Sequence, residues 1–418
     1  MLSLCIIAKN EERFLSGCLE SIRDVADEII LVDTGSTDRT PEIAQSFGCY
    51  VIHHQWQDDF AAARNLAIEA ATGEWIFCID ADERLCRPAD IKDLIARTPQ
   101  SIGGYVIERH DMVKAQESGK TEVNPVGIIR LFRNDPRIRY QGAIHERPGE
   151  SILAAGFQVG VATQLKLTHL VSALSEDVLR NKQLRYLTLL DRELAKSPDD
   201  PWFLYYRAKT RFYLKDCAGA LRDFTAVGRS PLAYAFLRAS ACSMRAMVLG
   251  ETGHLDEALA AVQMSLQIVP QQSLAHYVAA EILYLQEEYV KAAEEYSLVH
   301  LSLNENVSED ALHGDLYITV EKRAYKLGCC HLALGRIREA YRYFREGLGA
   351  HSQSADCYYG VALALTHMDD SATALQCLEA ATRLDPGWVE PLCLTETIKR
   401  SLKKNTLINS MSHLRSPS

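Results

Sequence analysis

The first third of the chain alternates short apolar runs with stretches of helical spacing. Leu2–Ala8, Glu28–Asp33, Tyr50–His54 and Trp75–Asp80 read as strands, and Ile29-Ile30-Leu31-Val32 and Trp75-Ile76-Phe77-Cys78-Ile79 are apolar at every position. Strands buried on both faces have this character, so the pattern predicts a mostly parallel sheet covered by helices. Between the strands, Thr40 reads as a helix cap, with Pro41 at the first helical position and Gly48 past the end. Asp58 or Asp59 caps a second helix, Phe60–Ala71, that stops at Gly73. Strand and helix alternating in this way give an α/β domain. From Gly103 to about Leu170 the pieces Gly104–Ile107, Gly127–Phe132, Arg139–Ile144 and Leu165–His169 read as strands that complete and flank the sheet.

After Ser172 the spacing becomes helical and repeats. Ala220, Ala258, Ala292, Ala340 and Ala374 are separated by 38, 34, 48 and 34 residues, a 34-residue period with insertions of 4 and 14. Twelve residues earlier stand Ala208, Ala246, Ala280, Gly328 and Ala362, all small; four residues later stand Phe224, Val262, Tyr296, Phe344 and Leu378, all apolar. Small residues where helices cross closely, and large ones where the next helix must be met, describe a helical hairpin that buries its face only by stacking. The pattern resembles tetratricopeptide repeats over about 190 residues, with about five repeats in 201–400. Residues 173–200 are then a connecting helix, and 401–418, Ser-rich with no acidic residue, are expected to be a disordered tail.

Composition narrows the classes. Hydrophobic residues at 47% and charged residues at 24% suit a folded globular chain, and a net charge of −10 argues against a dedicated nucleic-acid binder. The opening apolar stretch meets Lys9, Glu11, Glu12 and Arg13 too soon for a signal peptide or a membrane span. Twelve scattered cysteines without a CxxC pair fit neither a zinc module nor a disulfide framework, so a soluble, reduced, cytoplasmic protein is expected.

The candidate chemistry gathers at strand ends. Asp80 and Asp82, at i and i+2 after a buried strand, are expected to project together beyond the carboxyl end of the sheet, where two carboxylates can hold a hard divalent cation. Capping of the following turn is the plainer alternative. Asp33, beside the Gly35-Ser36 turn, can bond a ribose or base edge, and Arg64 is placed to reach a diphosphate. The series Cys5–Glu12, Glu28–Asp38, Ala63-Arg64-Asn65 and Asp80-Ala81-Asp82-Glu83 resembles the nucleotide-binding half of family 2 glycosyltransferases over about the first 170 residues. With the repeats, the chain resembles the subgroup that includes bacteriocin-peptide S-glycosyltransferases and lipopolysaccharide-core glucosyltransferase-like proteins.

The resemblance implies a GT-A fold, with a Rossmann-like sheet, over 1–172, followed by an all-α repeat solenoid. It implies an inverting hexosyltransferase that uses a nucleotide sugar, a UDP-hexose above all, with Mg²⁺ or Mn²⁺. Ala8, Asn10, Glu11, Asp33, Ser36, Asp38, Arg64, Asn65, Asp80 and Ala81 would then line the donor site, and Asp82 with Asp80 would hold the metal. A Glu-Asp pair common in the family is missing between Arg84 and Thr168. Glu146 and His145, in Gly142–Glu146, stand in as candidates for the catalytic base, with His145 and His169 as alternative metal or phosphate ligands. Of Arg130, Arg133, Arg137, Arg139 and Arg147, one or two are expected in the cleft; Tyr205, Tyr206 and Tyr213 can form a peptide groove or simply pack. The repeats would gather a peptide, protein or saccharide acceptor, or pair two copies, and a cut after about Ala195 is expected to separate donor and acceptor halves. The reading from another class is a repeat adaptor with a degenerate nucleotide-sugar domain.

Overall fold

The computed structural model describes residues 1–114, 121–171, 176–299 and 318–413. Its elements begin β1 (Leu2–Ala8), α1 (Leu15–Ile22), β2 (Glu28–Asp33), α2 (Thr40–Ser46), β3 (Tyr50–His53), α3 (Phe60–Ala70), β4 (Trp75–Cys78) and β5 (Glu83–Cys86). They continue with α4 (Ala89–Arg97), β6 (Ile102–Lys114), β7 (Thr121–Arg133), α5 (Gly149–Ala154), β8 (Gln158–Val171) and α6 (Glu176–Lys196). The strands form one mixed sheet in the order β3-β2-β1-β4-β7-β6-β8-β5. β3, β2, β1 and β4 run parallel, β7 is antiparallel to β4, β8 runs parallel to β6, and β5 is antiparallel to β8.

The fully apolar strands work as their pattern requires. Leu4, Ile6, Leu31, Trp75 and Phe77 pack on one face with α1, while Cys5, Ile30, Val32, Ile76 and Cys78 pack on the other with α3. Asp59 caps α3 by accepting from the Ala62 amide at 2.8 Å. Three local expectations are corrected, and one strand is added. Thr40 caps nothing: its hydroxyl donates to Asp38 and accepts from the Glu11 amide. β4 stops at Cys78, because Asp80 turns the chain by accepting from the Glu83 amide. Arg139–Ile144 is no strand, since left-handed Gly142 and His145 close a turn in which Gln141 and Arg147 exchange backbone hydrogen bonds. The short β5 was missed because Glu83 and Arg84 hide a four-residue strand.

Five helix pairs follow: α7 (Pro201–Tyr213) with α8 (Cys217–Arg229), α9 (Ala235–Glu251) with α10 (Leu255–Ile268), α11 (Ser273–Leu285) with α12 (Tyr289–Ser297), α13 (Val320–Ala333) with α14 (Ile337–Ala350), and α15 (Ala355–His367) with α16 (Ser371–Leu384). The small residues of the repeat fall on the first helix of each pair and the alanines on the second. Ala220, Ala258, Ala292, Ala340 and Ala374 are fully buried. The 14-residue insertion falls around residues 300–317, and the expected boundary at Ser172 falls at 172–175; both lie outside the described residues. The last helix, α17, runs Val389–His413. The expected disordered tail is therefore helical as far as 413, since no Gly or Pro interrupts 392–413.

Residues 1–113 and 122–270 form one compact unit, and 271–299 with 318–413 a second. The first two repeats thus belong to the same unit as the sheet. A cut after Ala195 would run through that unit, because Phe203 and Tyr206 of α7 pack with Ile144, Leu189 and Leu190. In the second unit Phe344 is enclosed by two glycines: a Cβ added at Gly328 or at Gly360 would lie 2.4 Å from its ring. With Gly on both sides the ring has nowhere to retreat. Gly328→Ala is therefore expected to cost about 1–2 kcal/mol in denaturant unfolding, overpacking outweighing the helix propensity that alanine gains.

Candidate functional site

Two loops at the carboxyl ends of β1 and β2 are fastened to each other. Asn10, at a φ of 58°, donates its amide to Ser36 Oγ at 2.9 Å and accepts from the Thr37 amide at 2.8 Å; the Glu12 amide donates to Asp38 at 3.1 Å. The Ala8 carbonyl accepts from Thr34, and the buried Asp33 accepts from the Ser36 amide at 3.1 Å with His53 Nδ1 3.3 Å away. Asn10, Ser36 and Asp38 therefore spend these groups on shaping the loops. Glu11 sits among like charges. Burial first, then Asp82, Asp80 and Asp38, raise its pKa to about 7.

Asp80 and Asp82 lie on a turn rather than on a strand, and their carboxylates take different partners. Asp80 accepts from Arg64 Nη2 at 2.8 Å and from Arg130 Nη2. Burial alone would raise its pKa, but Arg130 and Arg64 outweigh it and hold the carboxyl well below the usual carboxylate range. Asp82 has its Oδ2 3.2 Å from His169 Nε2. His169 reaches that place through strand register, opposite Glu83 of β5 and opposite Asp111 of β6. Its Nδ1 is 2.8 Å from Asp111 Oδ1. Burial opposes charge on the ring, yet the hydrogen bonds to Asp111 and Asp82 raise its pKa to about 9.

The result is a run of groups alternating in sign: Glu146, Arg64, Asp80, Arg130, Glu83, Arg109, Asp111, His169, Asp82. Arg64 Nε donates to Glu146 Oε1 at 2.7 Å, and Arg130 meets the fully buried Glu83 at 3.1 Å. Arg64 Nη1 and Arg130 Nε are buried without a hydrogen-bond partner. Glu83, Arg109 and Asp111 were not singled out in the sequence. Glu83 adjoins the Asp-x-Asp, but nothing local marks Asp111, which meets His169 only across the sheet.

The remaining candidates divide. Asn65 spends its amide on the backbone of Tyr140, at 3.0 and 2.9 Å, so it clamps the chain rather than facing a ligand. Ala81 is buried in the core, and its carbonyl accepts from Arg84. His145 is committed to an aromatic stack on Tyr206, 3.8 Å between centroids, so its ring is spent on packing. Burial, with Lys209 and Lys182, lowers its pKa to about 3, so it is neutral and a poor base at neutral pH. Arg130 and Arg147 line a cavity of about 630 Å³ that also receives Arg64, Asp80, Glu146, Tyr186, Trp202 and Tyr206. Arg133, Arg137 and Arg139 bond elsewhere, to Ile102, Asp135 and Ile138. Tyr205 is buried and Tyr213 exposed, so only Tyr206 of the three tyrosines reaches the cavity.

The sequence signature of Glycosyl transferase family 2 matches residues 3–112, and that of the tetratricopeptide repeat matches 355–387. The lipopolysaccharide core biosynthesis glycosyltransferase LpsC of Rhizobium meliloti is 30% identical over 209 residues, which cover 48% of this chain and 74% of that protein. The chain belongs to glycosyltransferase family 2. A TPR repeat-containing protein of Synechococcus elongatus is 42% identical over 154 residues, 36% of either chain. The SPbeta prophage-derived glycosyltransferase SunS of Bacillus subtilis is 30% identical over 203 residues, 48% of this chain and 47% of that protein. Against these last two, the chain spans less than half of the relative's length. Among the described residues no helix is long and apolar enough to cross a membrane.

Proposed function

We propose that the protein is an inverting glycosyltransferase that moves a hexose from a nucleotide sugar, a UDP-hexose, to an acceptor hydroxyl or thiol held in the cavity. The observation that carries this reading is the alternating charge chain, which has a hydrogen-bonded carboxylate at each end, Asp82 beside His169 and Glu146 in the cavity wall. Asp33 and Glu11 would meet the nucleoside, with Asn10, Ser36 and Asp38 shaping the loops around it.

Among the described residues no group of three or more His, Cys, Asp or Glu is disposed to hold a metal ion. The donor set nevertheless fits one that shares its ligands with a diphosphate. A carboxylate oxygen and an imidazole nitrogen 3.2 Å apart suit two neighbouring positions on one ion once the ring gives up its Nε2 proton in competition with the incoming metal, and Asp111 behind the ring fixes its orientation. Mg²⁺ or Mn²⁺, when bound there, would neutralise charge on the leaving diphosphate. Glu146 would take the proton from the acceptor as its oxygen or sulfur bonds to the anomeric carbon and the bond to the diphosphate breaks, leaving the electron pair on UDP. Arg64 would hold Glu146 and Asp80 in place. The acceptor would be a saccharide, in keeping with the name of LpsC, or a peptide or protein gathered by the repeats.

The test is calorimetry with UDP, with and without Mn²⁺, together with turnover of UDP-glucose. Wild type is expected to give metal-dependent heat and Asp82→Ala none; Asp111→Asn should weaken metal affinity by about ten- to a hundredfold. Equal turnover in wild type and Asp82→Ala would remove the metal assignment. No metal-dependent heat in wild type would favour a repeat adaptor with a decayed site.

A further inference from the structure

The 142–147 turn, which carries Glu146, is gripped from the repeat side at four points. A Cβ on Gly142, whose φ is +95°, would lie 2.9 Å from the ring of Phe203. Trp202 Nε1 donates to the His145 carbonyl at 3.0 Å. The Tyr206 ring stacks on His145, and the guanidinium of Arg147 lies 3.7 Å from the centroid of the Trp202 ring. Three side chains from little more than one turn of a single helix are thus spent on a loop of the sheet domain. The opposite side of the turn is fixed by α3, where the Phe60 amide donates to the Ala143 carbonyl at 3.0 Å. α3 also supplies Arg64, which receives Glu146 at 2.7 Å.

Neither His145 nor this turn would hold its shape unaided. His145 has a φ of 52°, a left-handed conformation that non-glycine residues adopt seldom and that the contacts around it hold. Glu146 itself touches none of the α7 aromatics in these contacts; it is the residue left pointing at Arg64 and the cavity while its neighbours are held. We propose that α7, the first helix of the first repeat, is a positioning element of the transferase: Phe203 and Tyr206, with Trp202, set the angle at which Glu146 enters the cavity. The proposal rests on the reading of Glu146 as the base. It makes the first repeat a part of the catalytic unit, distinct from any role the later repeats have in gathering partners.

The test uses the full chain with UDP-glucose and Mn²⁺, following UDP release with water as acceptor, for Phe203→Ala, Tyr206→Leu, Tyr206→Phe and Glu146→Gln. Phe203 does not line the cavity, so its loss removes no cavity contact; it also loosens packing on Leu189 and Leu190, which the UDP-affinity measurement controls for. Phe203→Ala and Tyr206→Leu are expected to lower kcat by about ten- to a hundredfold, the scale of a misplaced catalytic group, with KM for UDP-glucose and calorimetric UDP affinity held. Tyr206→Phe, which keeps the stacked ring, is expected to restore kcat to within about threefold of wild type. Wild-type kcat in Phe203→Ala and Tyr206→Leu beside an inactive Glu146→Gln would overturn the positioning role while sparing the base. Normal UDP release by Glu146→Gln would remove the base assignment and the positioning with it. Loss of UDP binding in step with kcat would mean that α7 only supports the fold, which also overturns it.

Discussion

Glutamine at position 146 is expected to lower transfer by about 10²–10⁴-fold, the contribution of a general base, while UDP and Mn²⁺ still bind. The substitution keeps the shape of the side chain and an oxygen able to accept from Arg64 Nε, so the 2.7 Å contact can persist. What it removes is the ability to take a proton. Because that ability is needed only as the acceptor attacks, kcat and kcat/KM should fall together. Steady-state rates with UDP-glucose, beside calorimetry of UDP binding, check both halves. A fall confined to KM would show that Glu146 binds the acceptor and leaves proton transfer to another group.

The second large effect concerns where the chain can be cut. A fragment ending at Ala195 retains every motif from Lys9 to Asp82 but loses Trp202, Phe203 and Tyr206, and it uncovers Leu189, Leu190 and Ile144, which are buried in the whole chain. Transfer is expected to fall by at least about 10²-fold, and thermal melting to lose cooperativity. A fragment ending at Pro270 keeps the compact unit that contains the sheet and two repeats, and should bind UDP with Mn²⁺ within about threefold of the full chain. Calorimetry and melting curves on the two fragments decide the matter; equal behaviour would mean that α7 is dispensable.

Much of this was readable from residues. Strands with apolar side chains at every position announced a sheet covered on both faces, and β1 and β2 begin and end where the pattern put them. The repeat register was equally plain, because a small residue, an alanine and a large apolar residue recur at fixed spacing and all become buried. The individual roles within the site were not. Asp80 and Asp82 look equivalent in sequence, yet a one-residue turn sends one to two arginines and the other to a histidine 87 residues away. Asn65 belongs to a telling motif and serves the backbone of Tyr140. Nothing in the sequence marks Trp202 and Phe203, because their partners lie in a turn whose left-handed backbone at His145 carries no sequence mark.

The alternating charges also bear on how the sheet finds its pairing. β5, β6, β7 and β8 contribute Glu83, Arg109 and Asp111, Arg130 and His169 to one run that is buried at Glu83 and Arg130 and half-buried beyond them, so each strand brings a charge that the native alignment matches with its opposite. A slip of β8 by one residue against β6 would set Thr168 or Leu170 where His169 belongs and take from Asp111 its imidazole partner. Misaligned pairings are then penalised by stranded charge in the interior, a far steeper cost than a lost apolar contact. The ion pairs that join these strands thereby favour a single register for the sheet's second half.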